Sequence, residues 1–291
     1  MNEAMFWHEP GNGVVHCGLC PHNCKIPEGS LGFCGVRRNI AGRLYAEGYG
    51  KASAIALDPI EKKPLYMFRP GGRVLSVGGF GCNLRCPFCQ NSDISIEYEN
   101  APRDARALSP EDVAALAVET VPRGNIGVAY TYNEPLIGYE FVKDCARLVR
   151  QAGLCNVLVT NGYVNPEPLE ALLPLIDAMN IDLKGFTQGF YKKLGGGLEA
   201  VKGAIALAHR HCQVEVTTLV IPEENDSEEE IAALAKWIAS LSPEIPLHLT
   251  RFFPRYQYAR KKATPRGTIM RLRDVAGREL RNVFVGNMGH S

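Results

Sequence analysis

The chain has 291 residues, 46% of them hydrophobic and 22% charged, enough to bury one large core and carry a small appendage. Lysine and arginine total 32 against 31 aspartates and glutamates, so neither a basic field for nucleic acid nor an acidic tail is present. Ten cysteines, no signal-peptide pattern and no long apolar run point to a reducing cytoplasm and metal ligation rather than disulfides or a membrane span.

Residues 1–70 read as a small metal-stapled module with a segment that wraps it onto the larger main domain. Its cysteines Cys17, Cys20, Cys24 and Cys34 are separated by two, three and nine residues, and four thiolates close a tetrahedral shell unaided. Structural zinc and an auxiliary iron–sulfur cluster both accept four thiolates, so spacing does not separate them; the balance leans to zinc, with free thiols a third case. With the shell already full, His16 and His22 are expected at the surface. Segment 44–69 has strand-like patches broken by proline.

From Gly71 onward strands and helices alternate, the pattern of a parallel sheet with crossover helices. Strands are expected at 73–77, 126–131, 156–159, 178–181, 213–220 and 247–252. Helices are expected from Ser109-Pro110-Glu111-Asp112 onward, after Pro135 to about Ala152, near 167–176, after Asp226-Ser227-Glu228, and near 268–280. The six strand–helix units predict an α/β fold, a partial (β/α)6 barrel spanning 71–291 whose open side admits a large substrate.

The loop after the first barrel strand, Gly78-Gly79-Phe80-Gly81-Cys82-Asn83-Leu84-Arg85-Cys86-Pro87-Phe88-Cys89, holds cysteines spaced C-x3-C-x2-C. Such a trio serves three irons of a [4Fe-4S] cube and leaves the fourth open to an exchangeable ligand. Half of a zinc site or buried thiols are the plainer alternatives, but no second cysteine pair follows Cys89. Polar residues follow the later strands. Glu134 suits an ammonium group, Asp182 a ribose hydroxyl or a cation, Lys184 a carboxylate or ribose oxygen, and the Phe88 ring an adenine face. Tyr130, Tyr132, Arg251 and Tyr256 are expected to line the barrel mouth, whereas Cys145, Cys155 and Cys212 read as core or surface thiols.

The cysteine trio with its intervening aromatic resembles the signature of the radical SAM superfamily. The ordered motifs Cys82-x3-Cys86-x2-Cys89, Tyr132-Asn133-Glu134-Pro135, Thr160-Asn161-Gly162 and Asp182-Leu183-Lys184 resemble activases of the pyruvate formate-lyase activating type. The N-terminal Cys-Gly-Leu-Cys-Pro-His-Asn-Cys, Cys-Pro-Phe-Cys-Gln-Asn, Tyr-Thr-Tyr-Asn-Glu-Pro and Phe284-Val285-Gly286-Asn287 look closer still to the AmmeMemoRadiSam-system radical SAM branch. The resemblance implies a [4Fe-4S] cluster on Cys82, Cys86 and Cys89, and S-adenosylmethionine (SAM) contacts at Glu134, Asn161, Asp182 and Lys184. It further implies an oxidoreductase that cleaves SAM reductively to a 5'-deoxyadenosyl radical for hydrogen abstraction, with flavodoxin or ferredoxin as electron donor and a glycyl radical enzyme as partner. Direct action on a small molecule or peptide is the alternative, and a non-catalytic electron-transfer protein a third. Four positions depart from the activase pattern: Tyr132-Asn133 stand for Gly-Gly, Val159 for aspartate, Thr217 for arginine, and Arg255-Tyr256 for a histidine.

Overall fold

The computed structural model describes residues 1–11, 13–97 and 106–289. An eight-stranded sheet runs through the molecule: β1 (Ala54–Pro59), β2 (Arg73–Gly78), β3 (Asn125–Tyr130), β4 (Cys155–Thr160), β5 (Ala178–Asp182), β6 (Gln213–Val220), β7 (Leu247–Arg251) and β8 (Val283–Gly286). Spatial order follows chain order, every pair from β2 to β8 is parallel, and β1 pairs antiparallel with β2 at the edge. The sheet is open, consistent with a partial barrel. Central strands such as β4, Cys-Asn-Val-Leu-Val-Thr, are buried on both faces, as parallel strands covered by helices must be.

The six expected strands are all present, and the sheet adds one at each edge. Val283–Gly286 is only four residues long and half-buried, too short for a periodicity signal. The β1 segment contains no local feature that tells a sheet edge from a wrapping strand; its pairing with β2 decides it.

Helices α1 (Pro110–Glu119), α2 (Tyr139–Gln151), α3 (Pro166–Leu172), α4 (Gln188–Lys193), α5 (Leu198–Ala208), α6 (Glu228–Leu241) and α7 (Arg266–Ala276) fill the crossovers. The start of α1 is a reciprocal capping box in which Ser109 Oγ accepts from Asp112 N while the Asp112 carboxylate accepts from Ser109 N. Ser227 caps α6, which buries Ile231, Leu234, Ala235 and Ile238 on one face. Helices α4 and α5 add to the expected set: each carries a glycine, Gly189 and Gly203, and the Gly195-Gly196-Gly197 turn between them breaks the helical pattern in the sequence. Helix α7 starts two residues earlier than expected and ends before Gly277.

The N-terminal region forms two small antiparallel sheets, and Val15, Leu19, Ile26 and Leu44 share one contiguous core with the barrel residues. A buried ion pair ties the two parts. Arg37 Nη2 lies 3.0 Å from Glu140 Oε1 on α2, with side-chain exposures of 2% and 5%. Glu140 Oε1 also accepts from Met5 N at 2.6 Å, and Arg37 Nη2 donates to Met5 O at 2.7 Å. The segment after β1 closes the amino ends of the strands, where Glu215 accepts from Tyr66 N, Met67 N and His248 Nε2 at 2.9, 2.8 and 2.7 Å. Among the described residues no helix is long and apolar enough to cross a membrane.

Removing one partner of the Arg37–Glu140 pair strands a buried charge. The Arg37→Met variant is therefore expected to lose about 3–5 kcal/mol of stability by urea unfolding, and a double variant with Glu140→Leu to recover much of it.

Candidate active site

The register brings the carboxyl ends of the parallel strands to one side: Tyr130 lies opposite Val77 and Leu158, Thr160 opposite Ile181, and Asp182 opposite Thr217. A polar cleft of about 390 Å³ opens there. This is the size range of a cofactor site. Cys82, Cys86, Cys89, Phe88, Glu134, Asn161, Asp182 and Lys184 all line it, so the expected site residues of the barrel converge on one space.

The cysteine loop is held by its surroundings. Gly81 adopts φ +78°, and a Cβ there would meet Cys34 O at 2.5 Å, so only glycine fits where the loop touches the N-terminal module. Asn133 staples the start of the loop, accepting from Gly79 N at 2.9 Å and donating to Phe80 O and Gly81 O, each at 3.1 Å. Arg85 N donates to Leu194 O at 2.8 Å, and Asn91 Nδ2 to Tyr132 O at 2.7 Å. Asn161 Nδ2 reaches Cys82 Sγ at 3.6 Å and Asn83 Oδ1 at 2.9 Å, while Leu84 N donates to Cys82 Sγ at 3.4 Å. Burial pushes all three thiols up, Cys86 to about 12, so metal binding here must displace their protons.

Glu134 is buried at the end of β3 with three donors: Thr160 Oγ1 at 2.6 Å, Asn161 N at 2.7 Å and Leu136 N at 3.0 Å. Burial outweighs those bonds and lifts its carboxyl from 4.5 to about 7. Asp182 Oδ2 and Lys184 Nζ pair at 2.7 Å. Burial draws the Lys184 ammonium down, but the charges of Asp182 and Cys86 outweigh it and raise its pKa.

Phe88 is packed parallel to Phe190 at 6.1 Å and beside Tyr258, so part of its ring is already engaged. Of the four residues expected at the mouth, Tyr132 alone lines the cleft. Tyr130 points into the core with its hydroxyl on Asn156 Oδ1 at 3.1 Å, Arg251 donates to Thr264 O at 2.8 Å, and Tyr256 sits in a turn outside the cleft. Strand alternation and tight turns sent these side chains elsewhere. Cys145 and Cys155 are buried in the core and Cys212 is half-buried, as expected. His22 is half-buried rather than on the surface, donating from Nε2 to Asn83 O at 2.8 Å and stacked on Phe33.

The cleft also holds a cluster that the sequence does not reveal. Tyr132 has a left-handed φ of 73° and packs so close to Gly78 that a Cβ there would meet its ring at 2.8 Å. Its hydroxyl donates to Asp58 Oδ2 at 2.7 Å, which also accepts from Lys63 Nζ and Ser76 Oγ, each at 2.9 Å. Lys63 lies 4.6 Å over the Tyr132 ring. Burial acts to raise the Asp58 carboxyl, but these three donors outweigh it and hold it well below the ordinary range. No motif joins residues so distant in the chain.

Residues 76–235 match the model of the radical SAM superfamily, more than half of the chain. The chain belongs to that superfamily, and with membership come enzymatic chemistry, a [4Fe-4S] cluster and SAM. It is 42% identical to the uncharacterized protein MJ0808 of Methanocaldococcus jannaschii over all of this chain and 86% of that one. A more distant relative is pyruvate formate-lyase 1-activating enzyme of Escherichia coli, 26% identical over 54% of this chain and 65% of its own length. A radical SAM methyltransferase from Sphaerobacter thermophilus shares the fold at TM-score 0.56 and 16% identity, covering 77% of this chain and 69% of that one. Streptococcus suis SuiB bound to S-adenosylmethionine shares it at TM-score 0.54 and 15% identity, over 72% of this chain and 48% of that one.

The residues present fit the family's cofactors. The trio offers three thiols to one cleft beside a lysine and a buried carboxylate that has no cationic partner among the described residues, a donor set suited to a cluster with an open iron and a zwitterionic ligand. Among the described residues, no group of three or more His, Cys, Asp or Glu side chains is arranged to hold a single metal ion.

Two measurements on the metal-free protein test these side chains. Because the folded protein raises the Glu134 pKa from 4.5 to about 7, the protonated group's contribution to stability is complete below pH 4.5 and is lost as pH rises through 7. Glu134→Gln should flatten that fall in urea titrations across this window. Tyr132→Phe keeps the ring but removes a hydrogen bond to a charged group, and should lower the unfolding free energy by about 1.5–3 kcal/mol.

Proposed function

We propose that Cys82, Cys86 and Cys89 hold the [4Fe-4S] cluster, and that Glu134, Asn161, Asp182, Lys184 and Phe88 hold SAM against it. The bound pair supplies one chemistry, reductive cleavage of SAM to methionine and a 5'-deoxyadenosyl radical that abstracts a hydrogen atom. This chain's own residues do the positioning. Glu134 accepts from the amino group of SAM, Lys184 donates to its carboxylate or ribose, Asp182 accepts from the ribose hydroxyls, and the Phe88 ring, 4% exposed and packed on Phe190 and Tyr258, backs the cleft wall offered to adenine. Asn161 donates to the Cys82 sulfur and fixes its direction. Residues 71–291 supply these side chains, while the cysteine-rich N-terminal region packs on them and residues 54–64 add the edge strand and part of the cleft wall. The observation that carries the reading is the convergence of all these side chains on one cleft from separate chain segments.

The proposed substrate class is a protein glycine, as for a glycyl-radical-enzyme activase, with flavodoxin or ferredoxin as the one-electron donor. Relationship to an activating enzyme named for pyruvate formate-lyase supports this. The second reading, direct action on a small molecule or peptide, is favoured by Val159 and Thr217, which put an apolar and a neutral group on the cleft where the activase pattern has aspartate and arginine.

Anaerobically reconstituted protein given SAM and dithionite is expected to release 5'-deoxyadenosine, measured by chromatography; protein with a full cluster and no product would sink the assignment. Glu134→Gln should weaken SAM binding by isothermal titration by roughly tenfold or more, as the loss of a charge-assisted hydrogen bond implies. A glycyl doublet in the electron paramagnetic resonance (EPR) spectrum of a mixture with a glycyl radical enzyme separates the activase reading from the second one.

A further inference from the structure

The N-terminal cysteines are the largest group of reactive side chains outside the cleft. Cys17 and Cys34 are buried, Cys20 and Cys24 half-buried, and Cys17 and Cys34 each lie within electrostatic reach of the other three. Paired strands Val15–Cys17 and Lys25–Ile26, with Cys17 N donating to Cys24 O at 2.9 Å, fix their relative placement. Backbone N–H groups of His22, Phe33 and Val36 donate to the sulfurs of Cys20, Cys24 and Cys34. The cleft trio has the same pattern, with Leu84 N on Cys82 and Asn91 N on Cys89.

Arg37 adds an independent observation. Its side chain is 2% exposed, and its buried Nε has no hydrogen-bond partner among the described residues. Cys17 and Cys34 lie within the field of this guanidinium. A buried N–H left without an acceptor costs free energy, and negative charge on Cys17 and Cys34 lessens the cost of burying the guanidinium that carries it. Metal-bound thiolates supply such charge.

We propose that Cys17, Cys20, Cys24 and Cys34 hold a second [4Fe-4S] cluster, not zinc. A zinc ion with Zn–S bonds of about 2.3 Å draws its four sulfurs into mutual contact. A cluster sets its four sulfurs wider apart, and both groups accept four thiolates, so the quartet's place in the fold decides between them. The quartet is also built onto the loop of the first cluster. The Asn83 side chain, next in the chain to Cys82, bonds to Cys20, and Asn161 Nδ2 donates both to Asn83 Oδ1 and to Cys82 Sγ. Gly81 presses on Cys34 O from the same loop. A redox centre in that position passes one electron from an external low-potential donor to the cleft cluster, with no bond made or broken, a use of the contact with the first loop that a structural zinc knuckle does not have. The electron-passing role rests on the function proposed for the cleft; the metal assignment does not.

The full chain carrying Cys82→Ala, Cys86→Ala and Cys89→Ala, reconstituted anaerobically with ferrous iron, sulfide and zinc at equal concentrations, tests the assignment. About four irons and four sulfides per chain, with a reduced-state EPR signal indifferent to SAM, are expected. One zinc per chain, or no metal, overturns it. Should the triple variant fail to fold, Cys20→Ser with Cys24→Ser in the otherwise natural chain serves instead. It should lose about half of the natural chain's iron and keep a SAM-responsive EPR signal. Unchanged iron overturns the proposal. A natural-chain signal indifferent to SAM would instead overturn the reading of the cleft, so the two failures are told apart.

Discussion

Glu134 accepts hydrogen bonds from Thr160 Oγ1, Asn161 N and Leu136 N, so one carboxylate joins the ends of β3 and β4 with no cation paired to it among the described residues. That unmatched charge, buried where parallel strands end level, is the constraint on which the cleft depends. The three donors orient the group but do not offset its desolvation, as its raised pKa records. The next strand end carries the complementary pair, Asp182 and Lys184, across the same space. Positioning is done by the sheet register, and the loops need only present the groups.

The Tyr132-Asn133 dipeptide, which stands where activases have two glycines, takes over two tasks. Tyr132 occupies a left-handed backbone conformation that glycine would adopt freely, and its hydroxyl bond to Asp58 and the Lys63 ammonium over its ring offset the strain. Asn133 turns its amide into a staple for the cysteine loop. The departure therefore leaves Glu134 in place and changes the wall of the cleft beside it.

The N-terminal region is bound to the barrel by charge, packing and backbone contact together: Arg37 to Glu140, a shared apolar core, and Gly81 against Cys34. Asn165 also donates to Leu19 O from its backbone and to Gly18 O from its side chain. On the cysteine loop itself Gly81 meets Cys34 O and the Asn83 side chain bonds to Cys20, so the quartet adjoins the same loop that lines the cleft.

The sequence by itself determined the six inner strands, the capped helices at Ser109 and Ser227, and the cysteine trio with Glu134, Asn161, Asp182 and Lys184 on the cleft, because each rests on a local pattern of period, cap, cysteine spacing or strand-end polarity. It could not determine the edge strands, whose four to six residues carry no period of their own, nor α5, whose glycines blur its pattern. The Asp58–Lys63–Tyr132 cluster, the half-burial of His22 and the core placement of Tyr130 were decided only by tertiary structure. Each joins residues far apart in the chain through packing, and no residue's neighbours in sequence record which distant side chain will satisfy its hydrogen bond.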